Sequence, residues 1–124
     1  MAIALIDKTT IPVYVGVVGT SSLGTNNVLT IINSASDLTP FGTGILVNAA
    51  TRLLSYGVIP IVCKVATTGD VDINGADANS GLQLLAQIES RTGKYPIALI
   101  APEVGRDAIV TQLNASAIAA GTLG

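Results

Sequence analysis

The chain has 124 residues, enough for one hydrophobic core and too few for two. Apolar residues make up 49% of it and charged residues only 11%, so Thr, Ser, Asn, Gly and small apolar groups must cover much of the surface, part of which is expected to be buried in an assembly. A net charge of −2 with six Lys and Arg spread singly argues against direct nucleic-acid binding, and no apolar run approaches the ~18 residues of a bilayer span.

Residues 1–11 form a short N-terminal arm or strand, and 12–124 a single core domain. Met1 to Lys8 carries no basic stretch ahead of a long apolar one, and Asp7 falls where a signal core would continue, so neither secretion nor membrane insertion is expected. Pro12 to Gly19 is β-branched and bounded by Pro and Gly, the pattern of a buried strand. Thr20 to Asn27 is a loop by composition, Val28 to Ile32 a short strand, and Ser34 to Gly44 a turn region around Phe41. Ile45, Leu46, Ala49, Ala50, Leu53 and Leu54 follow helical spacing along one apolar stripe, and Gly57 stops that helix.

Val58 to Val65 is the second strong strand, where Pro60 indicates an edge strand or a strand start. Cys63 within it has the setting of a buried thiol. Ala66 to Ser80 is a Gly-rich loop with room for a short strand at Val71 to Ile73. Leu82, Leu85, Ala86 and Ile88 mark one face of a helix ending near Gly93. Ile97 to Ala101, between Pro96 and Pro102, is a strand. Ile109, Val110, Leu113, Ala117 and Ile118 lie along a closing helix from about Arg106 to Ala120. Strands alternating with helices predict an α/β domain with a mixed, mostly parallel sheet flanked by helices. The last helix is not followed by a returning strand, so the expectation is an incomplete sheet that a partner strand could finish.

Catalytic chemistry finds little support. Without histidine, Ser-His-Asp and Cys-His mechanisms are excluded and the commonest metal ligand is missing. The glycines from Gly16 to Gly24 resemble a phosphate loop, but no Lys follows from Thr20 to Asn33. Asp70, Asp72, Asn74 and Gly75 have the start of a calcium-loop pattern, with Gly81 where the bidentate acid belongs, so a solvated turn is the stronger reading. Asn114-Ala115-Ser116 fits a glycosylation sequon but falls mid-helix. Arg91, Lys94, Glu103, Arg106 and Asp107 bracket the last strand and helix. They are candidates for a subunit contact, or for an ordinary solvated rim. No enzyme activity, cofactor or metal is expected.

The order of landmarks carries a further reading. PVYVGVVGTSS at 12–22, VLTIINSASDLTPFG at 28–42, IPIVCKV at 59–65 and GLQLLAQIESRTGKYPIALIAPEVG at 81–105 are followed by an alanine-rich helix. The succession resembles the core of contractile phage tail sheath proteins, in particular the phage P2-like group. The resemblance implies a structural subunit that assembles helically around an inner tail tube and contracts to drive the tube through the host envelope. Its partners would be other sheath subunits, the tube protein, and a baseplate or tail terminator. Its place would be the virion, after assembly in the bacterial cytoplasm. Relative to that family the chain is shortened or truncated: Met1 to Ile11 lacks a Pro-Gly-Val-Tyr-like element, and the family continues past the position of Gly124. The alternatives are a small α/β ligand-binding domain, using the crevice near Thr20 to Ser22 and Ala66 to Asp70, and a non-contractile tube-capping adaptor.

Overall fold

A computed structural model describes residues 12–103 and 107–119. The expected arm at 1–11 and Arg106 lie outside these residues, as does the side chain of Asp107. β1 (Tyr14–Gly19), β2 (Leu29–Ile31), β3 (Ile59–Lys64) and β4 (Pro96–Ile100) form one four-stranded sheet in the order β2-β3-β1-β4. The sheet is mixed and mostly parallel. β1 runs parallel to β3, from Tyr14 opposite Ile59 to Gly19 opposite Lys64, and parallel to β4 on its other side. Only β2 is antiparallel, lying outside β3 with Leu29 opposite Cys63.

Alternation along the strands divides the apolar residues between two layers. Val15, Val17 and Val62 point to one face, under a 3-10 helix (Ala35–Phe41) and α1 (Ile45–Ser55). Val18, Ile61 and Cys63 point to the other, under α2 (Asp70–Asn74), α3 (Gly81–Leu85), α4 (Ile88–Thr92) and α5 (Asp107–Ala119). The strand connections explain this division: β1 reaches β3 by way of β2, the 3-10 helix and α1, both helices on the first face, and β3 reaches β4 through α2, α3 and α4 on the second.

α1 matches the expected helix. Leu46 and Ala50 are fully buried, and past Tyr56 the chain turns at Gly57, whose φ of 80° only glycine adopts readily. The 3-10 helix replaces the expected turn. Its start is held by Asp37, whose carboxylate accepts the N–H groups of Asn33 (2.9 Å) and Ser34 (3.3 Å). β3 is an interior strand, which corrects the edge option. Pro60 is tolerated because it sits near the strand start, before the ladder to β2 that begins at Ile61.

Two further expectations are corrected. Val71 to Ile73 is a turn of helix, not a strand. A strand would place both side chains on one face, whereas here Ile73 is fully buried and Val71 is 68% exposed, as helical rotation over two residues dictates. The single helix expected over 81–91 is two, α3 and α4, with a break at Ala86 and Gln87 where Gln87 N–H bonds to Leu84 at 2.9 Å. Leu82, Leu84, Leu85 and Ile88 are all buried across that break, an arc too wide for one narrow helical stripe.

Gly16 explains how closely this second layer approaches the sheet. A Cβ at that position would lie 2.5 Å from Leu99 Cδ2 and 2.9 Å from Ile88 Cδ1, so the bare backbone of β1 is what α4 and β4 side chains rest on.

Candidate functional site

In open α/β sheets a ligand crevice forms beyond the carboxyl ends of strands whose connections leave towards opposite faces. Here that place is the end of β1: its crossover to β3 runs by way of β2 and the 3-10 helix through α1 on one face, while the connections of β3 and β4 lead to the opposite face. Thr20 stands there. Its backbone N–H donates to Glu103 Oε1 at 2.6 Å, and its hydroxyl lies 2.9 Å from Oε1 and 2.8 Å from Oε2. Gly19 makes room for this contact, since a Cβ on it would come within 2.9 Å of Glu103 Oε1. Thr20 in turn accepts Leu46 N–H at 3.2 Å, which ties the corner to the first turn of α1.

Glu103 is thus half-buried and held inside its own subunit, with a negative charge at the position where a crevice of this type would receive a ligand anion. The donors of Thr20 already have an acceptor. The second part of the expected crevice, 66–70, is an exposed turn that ends on Asp70, the first residue of α2.

The remaining candidates stand elsewhere. Arg91, on the last turn of α4, donates from Nε to Gln87 Oε1 at 2.9 Å and from Nη2 to Asn79 Oδ1 at 2.6 Å. Lys94 Nζ lies 5.6 Å from the centre of the Tyr14 ring, within cation–π range. Both precede β4, whereas Glu103 follows it, so the strand's length of ~17 Å separates the cations from the acid. The structure therefore does not gather Arg91, Lys94 and Glu103 into one cluster. Next to Lys94, Tyr95 donates its hydroxyl to Glu89 at 3.1 Å, and this bond raises the phenol pKa.

Asp70 and Asp72 begin the short helix α2 and do not form a loop, and Asp72 accepts the Thr67 hydroxyl at 2.7 Å. Among the described residues no three His, Cys, Asp or Glu side chains are grouped to hold a metal ion. Cys63 is buried in the sheet, and burial pushes its thiol pKa from 9.0 up to about 12, so at neutral pH it is a packing group and not a nucleophile. No helix among the described residues is long and apolar enough to cross a membrane.

The most distinctive surface was not foreseen. α1 covers β3 and β1 but not β4, while α5 packs against β4 from the other face. The uncovered strip is a groove of about 380 Å³ between α1 and the end of β4, walled by Ile45, Ala49, Leu53, Tyr56, Ile100 and Pro102. Ile45 is 47% and Tyr56 76% exposed. The sequence did hold a signal for it. Apolar residues at 45, 46, 49, 50, 53 and 54 make a band wider than one contact face requires, and Tyr56 extends its outer rim.

Comparison with known proteins finds no matching family model, no matching curated protein and no matching solved structure.

Proposed function

We propose that the chain is a structural subunit of a contractile tail sheath. It assembles helically with its own copies around an inner tube and changes its subunit contacts on contraction. One observation carries the assembly reading. No described strand pairs with the outer edge of β4, and beside that edge Ile97 is 62% and Tyr95 68% exposed. Such an edge accepts a strand or an apolar surface from a neighbouring subunit. The low charge of the chain agrees with a surface that is covered in use. The Glu103 carboxylate at the corner of Thr20 speaks against the rival reading of a ligand crevice, because an incoming anion meets a like charge there.

In this reading the partners are sheath copies, the tube protein and a baseplate or terminator, in a virion assembled in the bacterial cytoplasm. Arg91 and Lys94, beside the start of β4, belong to the subunit contact. Negative-stain micrographs of the purified chain, alone and mixed with tube protein, test the proposal. Long hollow cylinders are expected, shortened in assembly by the charge reversals Arg91→Glu and Lys94→Glu at unchanged melting temperature. Discrete caps, or monomers that a metabolite stabilises saturably, would overturn it.

A further inference from the structure

The sheet ends on two different strands, β2 on one side and β4 on the other, and among the described residues neither outer edge has a partner strand. The hydrogen bonds show which groups β2 leaves open. Ile32 N–H donates to the Pro60 carbonyl at 2.9 Å, so alternation turns Thr30 towards β3 and points the N–H and C=O groups of Leu29 and Ile31 outward. Asn33 N–H points outward as well, and the Asp37 carboxylate accepts it there at 2.9 Å. A negative charge therefore stands at the end of the β2 edge. Because β2 runs antiparallel to the other strands, its end lies level with the start of β4, where Lys94 carries a positive charge.

Packing and charge select one way to join these edges. With β4 of one copy laid antiparallel to β2 of the next, both copies keep the same orientation, and each helical layer stays on its own face of the sheet. Leu99 then meets Leu29, both packed towards the layer of α3, α4 and α5, while Ala98 meets Thr30 on the other face. Ile97, left 62% exposed at the irregularity in the pairing of β1 with β4, comes to lie beside Ile31. Lys94 falls beside Asn33 and Ser34, the two residues whose N–H groups Asp37 accepts. The incoming strand has room, because a groove of about 280 Å³ walled by Val28, Thr30, Asp37 and Phe41 runs along β2.

We infer that copies of this chain join edge to edge, β4 of one against β2 of the next, so that one sheet continues from copy to copy and Lys94 pairs with Asp37 across each seam. β2 has only three residues, so the apolar contacts and the ion pair must add to a short ladder. The two edges differ, so the contact does not close after two copies, and the twist of the sheet turns each copy relative to the last, which sets a helical path. The inference rests on the assembly reading and names the elements that make the contact.

The test mixes full chains carrying Thr30→Cys with full chains carrying Ala98→Cys and oxidises them under mild conditions. Across the seam these positions form a non-hydrogen-bonded pair with Cα atoms ~4.5 Å apart, within reach of a disulfide. Inside one chain β3 and β1 separate them by at least ~14 Å, which no disulfide spans. Cys63 is buried and does not compete. A disulfide joining one variant to the other is expected, and it supports the seam even where micrographs show no cylinders and the sheath reading falls. A disulfide between two Ala98→Cys chains would mean that β4 pairs with itself, and overturns the inference. Cylinders without any disulfide overturn the inference and leave the assembly reading standing, whereas neither disulfide nor cylinders overturns both. Hydrogen exchange on the unaltered chain is the second readout should a cysteine variant fold poorly. The outward amides of Leu29 and Ile31 should exchange freely in dilute monomer and at least ~10-fold more slowly once assembled, and unchanged exchange in the assembly overturns the inference.

Discussion

The two faces of the sheet are built to different degrees of closure. Under α3, α4 and α5 the layer is complete across β3, β1 and β4: Ile61, Cys63, Leu82, Leu85 and Ile88 are fully buried, and Gly16 has no side chain because there is no space for one. Under α1 the layer stops at β1. Leu46 and Ala50 are as well buried as anything on the other side, but Leu53 and Ile100 are only half-buried, and Ile45 and Tyr56 are largely exposed. The difference follows from connectivity. Three helical segments bridge from β3 across β1 to β4, whereas the crossover between the neighbours β1 and β3, after its excursion through β2, lays only the 3-10 helix and α1 on the other face. A tight layer resists any change of volume, and an open one is free to receive another segment.

The largest test of this contrast is a buried charge. Leu85→Asp, on the closed face, is expected to cost several kcal/mol and abolish cooperative unfolding, while Leu53→Asp on the open face leaves a folded, weakened protein, as denaturant titration will show. Equal losses would mean that the groove is already closed in solution. Next comes overpacking: Gly16→Ala should destabilise by ~1–3 kcal/mol, since Leu99 and Ile88 must move for the new methyl. A neutral result in thermal melts would sink the claim that β1 and α4 are in close contact. Leu53→Ala should then cost ~1 kcal/mol, well below the ~2–5 kcal/mol of the fully buried Leu46→Ala two turns earlier in α1.

The smallest effect at neutral pH concerns Cys63. Its thiol pKa rises from 9.0 to about 12 on folding, so the native state keeps a proton that the unfolded chain gives up. Its contribution to stability is therefore intact below pH 9 and declines as pH rises from 9 towards 12. Cys63→Ala should flatten that decline. At pH 8 the native thiol should resist a thiol reagent until the protein unfolds, and prompt labelling would show that the closed face opens.

The elements with strong local periodicity were legible in the sequence. The valines of β1, the β-branched run of β3, the stripe of α1 and the glycine after it each specify their own conformation, and they place a mostly parallel sheet between helices. The short elements were not legible. Val-Asp-Ile at 71–73 suits a strand or a helix equally, and only the burial of Ile73 beneath α3 and α5 selects the helix. The break between α3 and α4 is likewise a response to what surrounds it. The candidate charges were recognisable as a set along the chain, yet β4 holds Arg91 and Lys94 at one end and Glu103 at the other.

Glu103 marks the boundary between the two kinds of information. Local composition identifies an acid just past a strand, but its partner Thr20 is 83 residues away, and only the pairing of β1 with β4 brings the two ends together. The same holds for the groove. Residue type and spacing determined that the chain forms an α/β sheet with an amphipathic α1 and a surface poor in charge. Which strand that helix covers, and which it leaves bare, was decided by strand order, a property of long-range pairing that no local pattern encodes.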